Sequence, residues 1–379
     1  MKYRQFGSLD WKASVLGFGC MRFPRKIWGK EHIDEPIATR MLRQAIDSGV
    51  NYLDTAYVYH GGESELLLGR ALKDGYRQKV KVATKVPVWD VQSYKDFDRF
   101  LNEQLKKLQD EHIELYLLHC LNKKEWEKVR KLEVFKWAEK AIADGRIGYL
   151  GFSFHDEFDV FKDIIDGWDK WTFCQIQYNY MNEEVQAGTE GLNYAAEKGL
   201  AVVVMEPLLG GSLAHAPEPV QKLWNSASKR RTPADWALQW LWNKPEVTLV
   251  LSGMSTMQQV EENLASADRS GVDTLTQEEL DIIVRVRDVY EKLRPIPCTE
   301  CRYCMPCPNG VDIPANLMMY NSGFMYNSMD LQRIEYSLWE EKSRASRCTQ
   351  CLECEEKCPQ NIKISEWMAT IDQELRSAP

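Results

Sequence analysis

The chain has neither a long apolar run nor an excess of positive charge. No apolar segment approaches the roughly 18 residues needed to span a bilayer, and the N-terminus lacks the apolar core and cleavage site of a secretory signal. Acidic residues outnumber basic ones by 56 to 48, which gives a net charge of -8. A protein that binds duplex nucleic acid needs a concentrated basic surface to neutralise phosphates. We therefore expect a cytoplasmic protein that binds neither membranes nor nucleic acid.

Cysteine is scarce in most of the chain and concentrated near its C-terminus. Before residue 298 there are only Cys20, Cys120 and Cys174, and we interpret each as a small buried hydrophobic residue. The other eight of the 11 cysteines form two runs between residues 298 and 358, at intervals of three or four within each run. Such short intervals favour metal binding over a disulfide framework.

Short apolar, β-branched runs alternate with longer amphipathic segments over most of the chain. Eight such runs occur, at residues 14–19, 51–54, 80–86, 113–119, 147–153, 173–179, 201–206 and 247–253. Helical periodicity lies between them, for example over residues 39–46 and 94–108. Parallel strands need crossover helices, and eight of them close into a barrel. The pattern predicts an α/β fold, a (β/α)8 TIM barrel, with an open doubly wound sheet as the alternative.

Two prolines interrupt the chain after the last of these segments. Pro295 and Pro297 disfavour a continuing helix and indicate a linker. We therefore predict a barrel domain at residues 1–290 and a small cysteine-rich domain at residues 291–379.

Four ionisable side chains lie at or just after the C-terminal ends of predicted strands. Asp54 ends the second strand, and Tyr59 follows it by five residues. Lys85 ends the third strand and His119 ends the fourth. The C-terminal ends of barrel strands converge on one mouth, where the catalytic groups of such barrels lie. A lone polar residue at a strand end is usually a satisfied hydrogen-bonding residue, but four that converge favour an active site.

These four side chains suit one reaction. A phenol with an ordinary pKa near 10 donates a proton at neutral pH only if a cation stabilises the phenolate, and Lys85 would be that cation. Asp54 would supply the negative charge that keeps the buried ammonium protonated. His119 would hydrogen-bond a substrate oxygen and orient it. The set predicts protonation of a carbonyl oxygen while another group delivers hydride to the carbon.

The sequence resembles the aldo-keto reductase family over roughly residues 1–270. The shared segments are NYLDTAYVY at 51–59, GESE at 62–65, ATK at 83–85, LYLLH at 115–119, GFS at 151–153, QIQYN at 175–179 and VEEN at 260–263, in the family's order. The resemblance implies a tetrad of Asp54, Tyr59, Lys85 and His119. It also implies that Tyr59 is the general acid and that a nicotinamide cofactor is the hydride source.

The resemblance implies cofactor-binding residues as well. Ser153 and Gln175 would hold the carboxamide, and Glu262 with Asn263 would bind the adenine end. A loop after the seventh predicted strand would wrap the pyrophosphate. The residues of that loop are Met205, Pro207, Gly210, Gly211 and Ser212.

The chain departs from the family pattern at four cofactor positions. Phe154 replaces an asparagine beside the carboxamide, and Met205 replaces an aromatic residue that commonly stacks on the nicotinamide. Gly253 stands where a cation usually meets the 2'-phosphate of NADP, and Gln259 replaces an arginine on the adenine side. Without a cation to pair with that dianion, NADP selectivity loses its physical basis. We therefore expect NAD(H) or NADP(H) as cofactor, with NADH favoured.

The two cysteine runs have spacings that suit iron-sulfur clusters. The second run has the spacing of a bacterial ferredoxin motif, and the first is one residue shorter before its last cysteine. A single zinc ion is the alternative, but zinc prefers two well-separated CxxC pairs. We predict two 4Fe-4S clusters. Because the fourth cysteine of each run ligates the other cluster in two-cluster ferredoxins, the sets would be Cys298, Cys301, Cys304 and Cys358, and Cys348, Cys351, Cys354 and Cys307.

Helical patterns at residues 313–320 and 331–342 separate the two runs. This part of the chain resembles the helical ferredoxin-like domains. Aldo-keto reductase-like proteins with such a C-terminal extension form a recognised subgroup in bacteria and archaea, and the sequence is similar to theirs.

Three functions stay open on the sequence alone. The first is an NAD(P)H-dependent carbonyl reductase or alcohol dehydrogenase with structural clusters, which the intact tetrad favours. The second is a relay that exchanges electrons with a ferredoxin or another redox protein, although hydride carries two electrons, each cluster accepts one, and we find no flavin motif. The third is a non-catalytic, redox-sensing barrel. Trp28, Trp89 and Tyr57 suggest only an aromatic-lined pocket for a small carbonyl or alcohol substrate.

Overall fold

A computed structural model describes residues 1–26 and 32–376 of the chain. Trp28, one of the aromatic residues assigned to the substrate pocket, lies outside the described residues. The chain forms two compact units, of which the first comprises residues 1–209 and 235–276 and the second residues 210–234 and 277–379. The predicted domain boundary between residues 290 and 291 stays a prediction.

The first unit is built around a closed barrel. Its strands are β1 (Tyr3–Gln5), β2 (Lys12–Ser14), β3 (Leu16–Gly19), β4 (Tyr52–Asp54), β5 (Lys81–Val86), β6 (Ile113–Leu121), β7 (Ile147–Phe154), β8 (Phe173–Gln177), β9 (Ala201–Met205) and β10 (Val247–Ser252). The barrel order is β10-β3-β4-β5-β6-β7-β8-β9, and every pairing in it is parallel. This confirms the (β/α)8 TIM barrel and each of the eight predicted strands.

Strands β1 and β2 form an antiparallel hairpin that covers the N-terminal end of the barrel. Phe6, which follows β1, is fully buried. Its ring centroid lies 6.0 Å from that of Tyr52 and 5.5 Å from that of Phe173, the first residues of β4 and β8. Apolar side chains therefore fill this end of the barrel, and polar side chains are left for the opposite, C-terminal end.

Helices surround the barrel and build the second unit. They are α1 (Glu35–Asp47), α2 (Glu63–Ala71), α3 (Tyr94–Leu108), α4 (Lys123–Lys131), α5 (Val134–Ala143), α6 (Phe158–Asp166), α7 (Gly188–Glu197), α8 (Glu218–Ser226), α9 (Pro233–Trp242), α10 (Met257–Asp268), α11 (Gln277–Lys292), α12 (Ile313–Met325), α13 (Met329–Leu338), α14 (Glu353–Glu356) and α15 (Ile364–Arg376). The predicted helix at 94–108 coincides with α3, and the one at 39–46 lies within α1.

Helix α3 illustrates how local sequence sets an element. Ser93 and Asp96 form a capping box that satisfies main-chain N–H groups at its start. Apolar residues recur at helical spacing, and Phe97, Phe100 and Leu101 are buried against the barrel layer. These two signals explain why the predicted and observed bounds agree.

The second unit has its own apolar core, formed by side chains such as Ile296, Leu317, Met368 and Ile371. Helices α12 and α13 lie where helices were predicted between the cysteine runs, although α13 ends at residue 338 rather than 342. Among the described residues, no helix is both long enough and apolar enough to cross a membrane.

Candidate active site

Three of the four predicted catalytic side chains come from neighbouring strands. Asp54 is the last residue of β4, Lys85 lies one residue before the end of β5, and His119 lies two before the end of β6. Tyr59 begins a 3-10 turn that follows β4. Because β4, β5 and β6 are adjacent and parallel, their C-terminal ends open on the same mouth of the barrel. Asp54, Lys85 and His119 are buried there.

The ammonium group of Lys85 bonds three neighbours at once. Nζ donates to Asp54 Oδ1 at 2.5 Å, to the main-chain oxygen of Thr55 at 2.8 Å and to the phenolic oxygen of Tyr59 at 3.2 Å. An ammonium carries three protons, so all of them have acceptors. Since the Tyr59 oxygen accepts from Lys85, the hydroxyl proton of Tyr59 is available to another acceptor.

Burial and charge set the protonation states of these groups. Burial by itself would lower the pKa of Lys85, but the charges of Asp54 and Tyr59 outweigh it and the pKa is raised. Burial raises the pKa of Tyr59, although Lys85 opposes the shift. Burial, assisted by Lys85 and His155, lowers the pKa of His119 well below its ordinary value. Near neutral pH the site therefore holds a charged ammonium, a protonated phenol and a neutral imidazole.

Trp89, one of the predicted pocket aromatics, lies beside His119. The ring centroid of Trp89 lies 5.1 Å from that of His119, and the Tyr59 ring lies 6.0 Å away. Tyr57 was expected in the same pocket but instead donates its hydroxyl to Glu103 of α3 at 2.7 Å. The hydrogen bond to that carboxylate holds Tyr57 against the helix layer.

Gln175 and Ser153, the residues assigned to a cofactor carboxamide, are buried beside the tetrad. Gln175 Nε2 donates to Asp54 Oδ2 at 3.3 Å, while Gln175 Oε1 is buried with no hydrogen-bond partner among the described residues. Ser153 Oγ accepts the main-chain N–H of Cys120 at 2.8 Å. A buried acceptor without a donor costs free energy, and an amide N–H from a ligand would remove that cost. These residues therefore fit the carboxamide of a nicotinamide.

The alternation of side chains along β7 explains why position 154 holds an apolar residue, Phe154. Phe154 is fully buried, and its ring centroid lies 4.9 Å from that of Phe161 on α6, so it faces the helix layer. Ser153 and His155 lie on the opposite face because side chains alternate along a strand. Burial lowers the pKa of His155. Position 154 is thus a packing position in this chain, and the inward-facing polar groups are its neighbours.

The loop assigned to the pyrophosphate divides between the two units. Met205 is the last residue of β9, and Pro207 follows it in the first unit. Gly210, Gly211 and Ser212 belong to the second unit. The two glycines have φ values of 66° and 108°, which favour residues without a Cβ.

The residues assigned to the adenine end, Glu262 and Asn263, lie in the middle of α10. Asn263 is buried and donates to Ser252 Oγ at 3.0 Å, which ties α10 to β10. Gln259 Oε1 accepts the main-chain N–H of Ser255 at 2.7 Å, so its amide oxygen is used within its own turn. Glu262 Oε1 accepts from the side-chain amide Nε2 of Gln258, one turn earlier, at 2.7 Å.

The eight clustered cysteines line two cavities in the second unit. One cavity is lined by Cys348, Cys351, Cys354, Cys307 and Cys304. The other is lined by Cys298, Cys301, Cys304 and Cys358. In the described part of the chain no three ligand side chains gather tightly enough to hold a single metal ion. The last cysteine of each run lines the cavity of the other run. The thiolates therefore fit two clusters, each with three ligands from one run and one ligand from the other.

Family models match both parts of the chain. Residues 15–288 match the model of the aldo/keto reductase family, which covers more than half of the sequence. The chain belongs to the aldo/keto reductase family. Residues 297–362 of this reductase match a 4Fe-4S dicluster domain. The protein is thus an aldo-keto reductase-type oxidoreductase with a C-terminal dicluster domain, as the sequence motifs predicted.

Individual relatives resemble this reductase over its barrel. It is 28% identical over 313 residues to the uncharacterized oxidoreductase YrpG of Bacillus subtilis, covering 71% of this chain and 92% of that protein. It is 28% identical over 312 residues to the L-galactose dehydrogenase of Arabidopsis thaliana, covering 75% and 94%. The holo form of an aldo-keto reductase from Bacillus halodurans superposes with a TM-score of 0.62 at 28% identity, covering 76% and 96%.

The reductase also has a buried polar network behind Lys85 that the sequence motifs did not reveal. Gln104 Nε2 donates to the main-chain oxygen of Lys85 at 3.1 Å and to Glu65 Oε1 at 2.7 Å. Thr84 donates to the same carboxylate oxygen at 2.6 Å, and Glu65 is fully buried. Gln104 interrupts the apolar face of α3, and a polar residue within a buried face is the signal that would have pointed to it.

Proposed function

We propose that this reductase converts an aldehyde or ketone to an alcohol with NAD(P)H, or catalyses the reverse oxidation, with Tyr59 as the general acid. The observation that carries the proposal is the Lys85 ammonium, which bonds both Asp54 and the Tyr59 oxygen. This geometry leaves one phenolic proton to donate and places a cation beside the phenolate that would form. General acids of this kind typically accelerate reactions by about 10²- to 10⁴-fold.

In the proposed mechanism each of the four residues has a separate role. A nicotinamide cofactor held at Ser153 and Gln175 would supply the hydride for the carbonyl carbon. Tyr59 donates its proton to the carbonyl oxygen, and Lys85 stabilises the phenolate left behind. Asp54 keeps Lys85 charged, while the neutral imidazole of His119 hydrogen-bonds the same oxygen and orients the substrate. The buried setting strengthens each of these interactions because water does not screen them.

The proposed substrate is a small carbonyl compound or the corresponding alcohol. Trp89 is 37% exposed and lies beside His119, so one aromatic surface is available next to the reacting oxygen. One relative is named L-galactose dehydrogenase. We therefore propose sugars, ketones and small aldehydes as the classes to assay first.

We also propose that NADH is preferred, or that discrimination between NADH and NADPH is weak. Neither Gly253 nor Gln259 supplies a cation, and in the second unit Lys229 and Arg231 both pair with buried Glu279. One cation does lie beside position 253. A Cβ at Gly253 would be 3.3 Å from the Cβ, Cγ and Cδ atoms of Arg22, so that side chain lies across the glycine.

The cofactor proposal predicts the behaviour of an Arg22→Ala variant. We expect kcat/KM with NADH to equal or exceed that with NADPH in the native protein. Any activity with NADPH should fall further in Arg22→Ala, because the remaining nearby cation is gone, while activity with NADH stays unchanged. Steady-state kinetics with both cofactors test this. A strong NADPH preference in the native protein that survives in Arg22→Ala would overturn the proposal.

For the second unit we propose that each cluster takes three cysteines from one run and the last cysteine from the other. The two cavities support this assignment, since each is lined by that set. A second candidate function, electron exchange with a ferredoxin or another redox protein, is supported by two further observations. Cys304 lines both cavities, and Cys301 and Cys351 are exposed, so electrons would have a short path between clusters and a route to the surface.

An anaerobic experiment distinguishes carbonyl reduction from an electron relay. The protein with both clusters is mixed with NADH and followed by EPR, with dithionite as the positive control for cluster reduction. For a reductase with structural clusters we expect no reduced-cluster signal with NADH, because hydride delivers two electrons together. Carbonyl turnover should proceed in the same sample. A cluster signal that grows with NADH, without turnover, would favour the relay.

A further inference from the structure

Strand β6 is irregular at the position of His119. Leu118 pairs with Phe152 and Leu121 pairs with Phe154, so two residues of β6, His119 and Cys120, oppose a single residue of β7. Such an extra residue forms a β-bulge, which re-aims a side chain and leaves a main-chain group without its ladder partner. Cys120 has a φ of 56°, in the left-handed region that a residue with a Cβ rarely adopts.

Ser153 supplies the missing partner. It is the β7 residue opposite the bulge, it is 1% exposed, and its Oγ accepts the Cys120 N–H at 2.8 Å. The ladder resumes at His155, whose N–H donates to the Leu121 oxygen at 2.9 Å. The serine hydroxyl therefore closes the gap between two regular stretches of the β6–β7 pairing.

The orientation of His119 depends on this arrangement. In the part of the chain that the structure describes, His119 Nδ1 is buried without a hydrogen-bond partner. The imidazole is therefore oriented by ring packing against Trp89 and Tyr59 and by the main chain that carries it. That main chain lies next to the Cys120 N–H that Ser153 holds.

We infer that Ser153 is a positioning residue that holds the bulge, and hence His119, and that the same hydroxyl links cofactor binding to His119. A serine hydroxyl has one proton and two acceptor sites. The Cys120 N–H uses an acceptor site, which leaves the proton for the carboxamide oxygen of a cofactor. This inference rests on the proposed function only for the cofactor link. Binding at Ser153 restrains the hydroxyl and, through it, the bulge.

The test compares Ser153→Ala with Ser153→Thr, which keeps a hydroxyl on the same Cβ. In the cofactor-free protein, hydrogen–deuterium exchange is read on peptides that cover Cys120, and the His119 ring is followed by NMR of ¹³C-labelled histidine. We expect exchange at Cys120 to be roughly 5- to 10-fold faster in Ser153→Ala, the effect of one lost hydrogen bond, with a shifted His119 signal. Ser153→Thr should resemble the native protein.

Thr248→Val is a matched control. Thr248 Oγ1 also accepts a strand N–H, that of Val202 at 3.0 Å, where the β9–β10 register shifts. This variant should speed exchange at Val202 and leave Cys120 and His119 unchanged. Faster exchange across all the strands of the barrel in Ser153→Ala would indicate general destabilisation and would overturn the positioning role, as would an unchanged His119 signal.

The cofactor link is tested by adding NADH. Exchange at Cys120 should slow in the native protein and should not respond in Ser153→Ala when the cofactor is saturating. An equal response in both proteins would overturn the link. In turnover, Ser153→Ala should lower kcat for carbonyl reduction more than it raises the carbonyl KM. If the native protein reduces no carbonyl while Cys120 and His119 still respond as expected, the proposed function fails and the positioning role stands.

Discussion

Replacing Tyr59 by phenylalanine should reduce NADH-dependent carbonyl reduction by at least about 100-fold, the lower limit for loss of a general acid. The variant keeps the ring that packs near His119 and removes only the hydroxyl that accepts from Lys85. Because Lys85 keeps Asp54 and the Thr55 oxygen as acceptors, we expect the fold to be retained. The loss should appear in kcat, and cofactor affinity, measured by fluorescence titration, should change little.

Tyr57→Phe is the control for this prediction. Tyr57 lies in the same loop, but its hydroxyl donates to Glu103 of α3 and not to the tetrad. We expect the control to keep carbonyl turnover. A loss of turnover seen only in Tyr59→Phe would then identify the phenolic proton of Tyr59 as the one that is donated. Equal turnover in Tyr59→Phe and the native protein would remove the general-acid role. It would favour the alternative in which the barrel is a non-catalytic, redox-sensing module.

Replacing Cys307 by alanine should remove one complete cluster and leave the other. In the proposed assignment Cys307 belongs to the cluster of the second run, because it lines the same cavity as Cys348, Cys351 and Cys354. A 4Fe-4S cluster of the ferredoxin type is held by four cysteine thiolates, so we expect a site left with three to lose its cluster in purified protein. Bound iron and sulfide should fall to half, and the EPR spectrum of the reduced protein should come from a single cluster.

Double variants determine which cluster was lost. Adding Cys351→Ala to Cys307→Ala should cause no further loss of iron, since both residues would serve the same cluster. Adding Cys301→Ala to Cys307→Ala should remove nearly all of it, since Cys301 lines the other cavity. If each run held its own cluster, the two double variants would show the reverse pattern. Circular dichroism checks that the helices persist in each variant, because metal binding can be coupled to folding.

The barrel could be predicted well because its signals are local and periodic. Each strand is a short apolar run, and the closed order of β3 to β10 follows from eight such runs joined by helices. The bounds of α3 were predictable from its capping box and apolar face. The end of α13 was predicted less well, because a polar, exposed helix end gives weak periodicity.

The candidate site could be predicted only in part. Strand-end position placed Asp54, Lys85 and His119 on one mouth, because all parallel strands point the same way. Tyr57 was suggested for the pocket as an aromatic residue of the loop after β4. Its hydroxyl donates to Glu103, a partner that the sequence did not reveal because the direction of a loop side chain depends on tertiary contacts. Gln104 was missed because it belongs to a helix and reaches Lys85 through a main-chain oxygen.

The amino-acid sequence alone specifies the strand and helix alternation, the residue types of the tetrad and the spacing of the two cysteine runs. These features are set by neighbours within a few residues, so they can be read along the chain. The folded structure was needed to identify the Thr55 main-chain oxygen as a third acceptor of Lys85 and to find the hydrogen bond from the Cys120 N–H to Ser153. Each of these depends on the register and packing of segments far apart in sequence, where a shift of one residue turns a side chain to the opposite face.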